Sequence, residues 1–383
     1  MNVPAFSVVV IARNEAHKLP ALCASLQEFL SAGGEMVVVD TGSDDATVRV
    51  AREAGARVEE VGARFHSVLT EAQAAQITAK FLRDGDAPLV EPGQMIFDFG
   101  AARNFAGTLA ANEFIWSIDA SDVVLTADLD FLDAQIRRGD VAAFDYLLRL
   151  GVARFNVVRF FDRRAYAWHG RVHEAPFPRG TVTGRRVVCT ESQLLLEHLR
   201  GEKTRNYLAG LALDAIEHPA APRWKHYVGR ELVYERRYRS ALVPLRAHVR
   251  SKDAWSVERA ASHCLIGYCF EVLGRADAAA ESLFRAIRVD PSRREPLLQL
   301  AWLCQRQGDF QGSVTFAAAA LTIPGTARIV DAESHYTSDP HSILYWGLFW
   351  LGRRDEAQTH WETCLRMAPE NETFREHARL FEK

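Results

Sequence analysis

The first hundred residues alternate apolar runs with amphipathic stretches. Residues 7–11 (SVVVI) form a continuous β-branched run, the mark of a strand buried on both faces. The polar loop Arg13-Asn14-Glu15 follows. Pro20 suits a first helical turn, Leu22, Leu26 and Leu30 recur every four residues, and Gly33-Gly34 stops that helix. A second run, residues 36–39, ends in the acidic cluster Asp40-Thr41-Gly42-Ser43-Asp44-Asp45, which can cap a helix over 46–54 ended by Gly55. Val58 begins a third strand. The order βαβαβ predicts a parallel sheet with covering helices, and ligands collect at the carboxyl ends of such strands.

From 67 to 95 the pattern is irregular. A helix over 72–81 and turn clusters at 84–88 and 91–93 predict a compact insertion or lid. Residues 114–118 read as a strand running into Asp119-Ala120-Ser121-Asp122. Residues 152–161 read as another, leading to Trp168-His169-Gly170-Arg171-Val172-His173-Glu174.

After about residue 205 the strand signals vanish and the sequence repeats itself. Gly274-Arg275, Gly308-Asp309 and Gly352-Arg353 each sit in a turn before a helix rich in small residues (278–287, 313–321, 356–367). Each helix is followed by a proline: Pro291, Pro324 and Pro369. The first two turns are 34 residues apart, the tetratricopeptide period, and an insertion over 326–340 lengthens the next gap to 44. A degenerate earlier unit spans 227–248. One helix pair cannot bury its apolar face alone, so neighbours must stack.

Composition narrows this little. The 383 residues are 48% apolar and 25% charged, which excludes a disordered chain. A formal net charge of -3 implies no broad positive field, so non-specific binding to a phosphate backbone is not expected. The six scattered cysteines form no CxxC pair and read as buried small hydrophobes in a reducing compartment. With no signal-peptide pattern at the start and no apolar stretch of spanning length, the expected location is the cytoplasm, with no membrane association.

Five stretches carry a resemblance: IARNE (11–15), VVVDTGSDD (37–45), DFGAARNF (98–105), IWSIDASD (115–122) and WHGRVHE (168–174). In this order they resemble the family 2 inverting glycosyltransferases of GT-A fold, in particular bacterial and phage members with tetratricopeptide repeats behind the catalytic domain. The resemblance implies an α/β, Rossmann-like GT-A domain with a mostly parallel sheet over residues 1–204, with 67–95 inserted, and an all-α tetratricopeptide-like repeat domain over 205–383. The implied activity is metal-dependent transfer of a sugar from a nucleotide-sugar donor, a UDP-sugar first, to an unknown acceptor.

The residue roles follow from the same resemblance. Carboxylates at a strand end would hold Mn2+ or Mg2+, which neutralises a leaving diphosphate. Asp119 keeps the first position of the family's D-x-D, Ser121 replaces the second, and Asp122 is displaced by one. His198 is the expected additional ligand. Asp119 and Asp122 could equally cap a turn. Arg13, Asn14 and Glu15 would line the base and ribose, Asp40 would accept hydrogen bonds from them, and Arg103 would meet the base or diphosphate. Ala12 and Ala120 complete that nucleotide-lining set. Glu174 is the candidate base, His173 the second choice and Asp162 a weaker rival.

The acceptor is not named by the sequence: protein or peptide, glycan and modified nucleobase all stay open. The repeats could also bind a protein partner or form a homodimer. The altered Ser121 motivates an alternative, a catalytically impaired nucleotide- or sugar-binding scaffold whose repeats recruit a protein. A nucleotidyltransferase is disfavoured, because no glycine-rich phosphate loop follows the first strand.

Overall fold

A computed structural model describes residues 3–85, 87–151, 153–199, 207–325 and 331–381. The chain divides into two compact units, one of residues 1–71 and 91–214, the other of 72–90 and 215–383.

The strands of the first unit are β1 (Phe6–Ala12), β2 (Glu35–Asp40), β3 (Arg57–Glu60), β4 (His66–Val68), β5 (Met95–Phe97), β6 (Phe114–Asp119), β7 (Asp122–Ala127), β8 (Val141–Leu150), β9 (Ala153–Asp162), β10 (Tyr166–His169), β11 (Ala175–Pro178), β12 (Arg185–Val188) and β13 (Leu194–His198). The main sheet runs β3-β2-β1-β6-β9-β8-β13-β7, with β12 beside β8. Its first four strands are parallel, joined through the predicted βαβαβ order. The valine runs are buried on both faces. Val8, Val10 and Val38 pack with Leu19, Leu22 and Leu132 on one side. Val9, Val37 and Val39 pack with Ala106, Ala110 and Trp168 on the other.

The sheet as a whole is mixed: among the described residues five of its ladders are parallel and three are antiparallel, so the expected mostly parallel sheet carries an antiparallel part. β8 and β9 pair antiparallel with Leu150 opposite Ala153, and so short a stretch of chain between paired residues links only antiparallel strands. β9 therefore runs antiparallel to β6 as well, and β13 runs antiparallel to β7. Position 152, the expected start of that strand, lies outside the described residues. The helix predicted through Leu30 is two, Leu19–Ser25 and Gln27–Ser31. Ser25 Oγ donates to the carbonyl of Leu22 at 2.7 Å and accepts from Val124 N–H at 3.1 Å, a local alternative to the helical ladder at the break.

The expected insertion is also divided. β4 and β5, at its ends, pair with each other in the first unit. Residues 72–90 belong instead to the helical unit, where Ile77 and Phe81 are buried. There the Asp84 carboxylate accepts from the N–H groups of Arg239 (3.1 Å) and Ser240 (2.7 Å), capping the helix Tyr238–Val249. The expected boundary at 204/205 falls outside the described residues, and the division lies at 214.

The second unit contains four helical hairpins: Pro222–Tyr234 with Tyr238–Val249, Ser256–Val272 with Ala276–Val289, Glu295–Arg306 with Phe310–Thr322, and Ser338–Trp350 with Arg354–Met367. Every turn closes alike. A residue of positive φ ends the first helix, and the next N–H reaches back five residues: Arg237 to Leu232, Arg275 to Phe270, Asp309 to Cys304 and Arg353 to Leu348, at 2.8–2.9 Å. Gly274, Gly308 and Gly352 hold that conformation in three turns, and Arg236 (φ 59°) holds it in the first. Five residues further on stand Ala241, Ala279, Ser313 and Ala357; twelve further on stand His248, Ala286, Ala320 and Cys364. All eight are wholly buried, and seven of them, all but His248, are small side chains. Of the expected insertion, 326–330 lies outside the described residues and Glu333–Tyr336 is a 3-10 turn. The six cysteines are unpaired, and five are buried.

A methyl group on Gly229 would stand 2.4 Å from Cγ of the buried Leu245. Alanine is favoured in a helix by about 1 kcal/mol, but overpacking costs about 1–3 kcal/mol. Gly229→Ala is therefore expected to lower the midpoint of urea unfolding despite its better helix propensity. A raised midpoint would show that the hairpin has room to spare.

Candidate functional site

Asp119 ends β6, and the residues around it arrive from four directions. The helix Phe99–Leu109 supplies Arg103. β9, antiparallel beside β6, brings Arg159, one residue beyond the paired Phe160. The β7–β13 ladder sets Asp122 opposite His198. The loop after β10 supplies His173 and Glu174.

The stretch 98–104 shows how the sequence builds this. Asp98 caps the helix, accepting from Ala101 N–H at 2.8 Å. Gly100 lets the loop come close: a Cβ there would meet the Gly170 carbonyl oxygen at 2.4 Å. Asn104 clamps Trp168 through both backbone groups, at 2.8 and 2.9 Å. Arg103 is thereby pressed against the Trp168 ring, its guanidinium carbon 4.9 Å from the centroid.

Arg103 is 5% exposed. Its Nε donates to Glu174 Oε1 at 2.7 Å, its Nη1 to Ser117 Oγ at 3.2 Å and its Nη2 to Asp119 Oδ1. Arg159 Nη1 donates to the other Asp119 oxygen at 2.8 Å and lies 3.4 Å from Asp122 Oδ2. Asp122, almost wholly buried, also accepts from Asp119 N–H at 3.0 Å, and its second oxygen meets His198 Nδ1 at 2.7 Å. Ser121 Oγ lies 3.4 Å from the same nitrogen. Burial alone would raise the Asp119 carboxyl, but the guanidiniums of Arg159 and Arg103 outweigh it and hold the group well below the usual carboxylate range. Arg159 is likewise raised: burial disfavours its charge, and Asp119 and Asp122 more than restore it.

The expected metal ligands therefore do come together. The ligand atoms of Asp119, Asp122 and His198 all lie within 4.8 Å of one another. Both Asp119 oxygens, however, are taken by guanidiniums. Glu174 is held by Arg103, so it is tied down rather than poised as a base. His173 has positive φ (52°) and packs edge-on against Tyr207 at 5.7 Å. Asp162 pairs with Arg164 at 2.7 Å.

The residues expected to line a nucleotide staple two loops together. Asp40 accepts from the N–H groups of Gly42 and Ser43, both at 3.1 Å. Asn14, of positive φ (56°), accepts from Asp44 N–H at 2.9 Å, and its own N–H donates to Ser43 Oγ at 2.9 Å. Glu15 pairs with Lys18 at 2.9 Å and donates its N–H to Thr47 Oγ1 at 2.8 Å. Arg13 meets His66 at 3.0 Å. Ala12 and Ala120 are buried, Ala12 in register with Asp40. Sequence reading missed Arg159 and Ser117. The signal for Arg159 was present: it is a cation interrupting the apolar run of β9.

No family model matches the chain. A TPR repeat-containing protein of Synechococcus elongatus is 28% identical over 141 residues, which cover 37% of this chain and 26% of that protein. The chain thus spans about a quarter of the length of that curated relative. Among solved structures, MamA is 13% identical over 43% of this chain and 87% of its own, at a TM-score of 0.35. A TPR protein of Thermus thermophilus is 18% identical over 45% of this chain and 88% of its own, at 0.36. Likenesses of that quality carry no argument by themselves. The relative found by sequence is a repeat protein, and no family model supports a transferase. Together these overturn the assignment to family 2 glycosyltransferases, the sugar-transfer function and the classification as an enzyme. The helical repeats stand. The α/β unit is a mixed sheet without the GT-A assignment.

Because Asp119 is held below the ordinary carboxyl value of about 3.9, its pairing stabilises the fold above about pH 4 and is lost as pH falls through its folded titration. Asp119→Asn leaves two buried guanidiniums short of a counter-charge, a loss of about 2–3 kcal/mol after allowing for its partial exposure. The stability gap to the parent protein, read by urea unfolding, is expected to be flat from about pH 6 to 8 and to shrink below about pH 4. A gap independent of pH down to strong acid would refute the pairing.

Proposed function

We propose that the chain is a scaffold that recruits a protein partner through its helical repeats. The supporting observation is a ladder of large side chains at matched repeat positions. Tyr234, Val272, Arg306 and Trp350 each stand two residues before the positive-φ turn residue; Arg230, Tyr268, Trp302 and Trp346 stand six before it. Four residues apart, the two positions share one helix face. The first helices of successive hairpins lie against one another, so the positions repeat from hairpin to hairpin. Tyr234 (66%), Val272 (47%) and Trp350 (55%) are strongly exposed, and Tyr268 is 40% exposed. Tyrosine, tryptophan and arginine are the residues that dominate protein interfaces, and exposed apolar groups in a row mark contact surfaces.

The test is site-specific photo-crosslinking in the source cells. A crosslinker at Tyr268 or Trp350 is expected to capture the same protein, while one at Phe284, equally exposed but on a second helix, captures none. A product of twice the chain mass would identify the partner as a second copy. Equal labelling from all three positions would remove the ladder as a recruiting face.

A cation role for the α/β unit is a second proposal, motivated by the convergence of Asp119, Asp122 and His198. Two carboxylates and an imidazole suit Mn2+ or Mg2+. Arg159 occupies the same carboxylates, so cation and guanidinium are alternatives there. The nucleotide-sugar donor is not carried forward with it. Millimolar Mn2+ is expected to raise the melting temperature of the parent protein by linkage and to leave Asp122→Asn unmoved. Equal shifts in both proteins would place the ion elsewhere.

A further inference from the structure

Within the helical unit, five arginines line one pocket of about 630 Å³: Arg83, Arg239, Arg246, Arg250 and Arg275. All five are exposed, and among the described residues none of them is part of an ion pair. The floor between them is apolar, formed by Leu242, Val243 and Leu273. Five like charges around one cavity repel one another, and solvent screens that repulsion only in part.

The fold holds the cluster together. Arg239, Arg246 and Arg250 follow one another along the helix Tyr238–Val249 and its C-terminal end. Arg246 and Arg275 share the Phe270 ring, at 5.2 and 4.8 Å from its centroid. The segment carrying Arg83 is tied to the same helix: Arg83 N–H donates to Ser240 Oγ at 2.7 Å, and Arg237 donates to the carbonyls of Asp84 (3.0 Å) and Ala87 (2.8 Å). Asp84, the acid of that turn among the described residues, has both oxygens turned to backbone N–H groups. It caps the helix and does not answer the guanidiniums.

We infer that this pocket binds an acidic peptide segment of the partner, one that alternates carboxylates with apolar side chains. The inference rests on the scaffold reading and supplies its partner's chemistry. Guanidiniums pair with carboxylates in bidentate geometry, and the apolar floor takes the side chains between them. A nucleic acid is the poorer fit. The chain's net charge is -3, which supplies no broad positive field to follow a phosphate backbone.

The experiment uses the full chain and a short fluorescein-labelled peptide of alternating glutamate and leucine, read by anisotropy. Binding is expected, weakening as salt rises, and falling by about tenfold or more in Arg246→Glu/Arg250→Glu. Circular dichroism and the urea midpoint confirm that this variant is folded. Arg246→Lys/Arg250→Lys, which keeps the charge and loses the fork, is expected to fall between the two. Equal affinity in the parent and the glutamate variant overturns the inference. So does tighter binding of inorganic polyphosphate or of a single-stranded oligonucleotide than of the peptide. The crosslinking ladder lies on the first helices, whereas the pocket is built on the second helix Tyr238–Val249, the segment carrying Arg83 and the turn 273–275, and its two mutated arginines lie on and just after that second helix. Loss of peptide binding with the crosslinks intact therefore removes this pocket alone, whereas loss of the crosslinks strikes the scaffold reading.

Discussion

A guanidinium taken out of water must be answered by anions, and Arg103 organises the edge of the α/β unit around that requirement. Two carboxylates, a serine hydroxyl and a tryptophan face answer it. To bring them there, a helix must be capped by Asp98, a loop must approach over Gly100, and Asn104 must clamp Trp168. The stretch 98–104 reads as a functional signature, and every polar residue in it has a structural task. The same holds for Asp40, whose side chain closes its own turn, and for Asn14, which locks one strand-end loop to the next.

Arg159 decides the character of this site. Asp119, Asp122 and His198 form an acidic corner, and Arg159 donates to both carboxylates. With it, the corner is neutralised from within. Held between two guanidiniums, the Asp119 carboxylate keeps its charge far below the usual carboxylate range. The chemistry that the sequence motif suggests is thus opposed by a residue outside every motif.

How much was legible follows from the range of each signal. The valine runs of β1 and β2 and their helices were readable because burial on both faces leaves a continuous apolar run. The three glycine turns were readable because a positive φ selects glycine. The first hairpin looked degenerate because Arg236 takes that conformation instead, and only the hydrogen bond from Arg237 to Leu232 reveals the common turn. The mixed half of the sheet was not readable, since pairing partners far apart in sequence leave no local mark. Nor was the division of 67–95: the pattern predicted its helix, while its attachment depends on Asp84 capping a helix more than 150 residues away.

The two halves manage charge in opposite ways, and this bears on which half meets other molecules. In the α/β unit the buried Arg103 is answered by Asp119 and Glu174, and Arg159 by Asp119 and Asp122. On the helical unit the five pocket arginines are exposed and unmatched, and two of them are steadied by an aromatic ring alone. A charge cluster held in place without its counter-charge is preorganised for an external anion, because binding need not first break an internal pair. The first helices add aromatic groups at a fixed spacing. On the scaffold proposal, partner recognition falls to the repeats, where exposed arginine and aromatic groups recur at matched positions of successive hairpins.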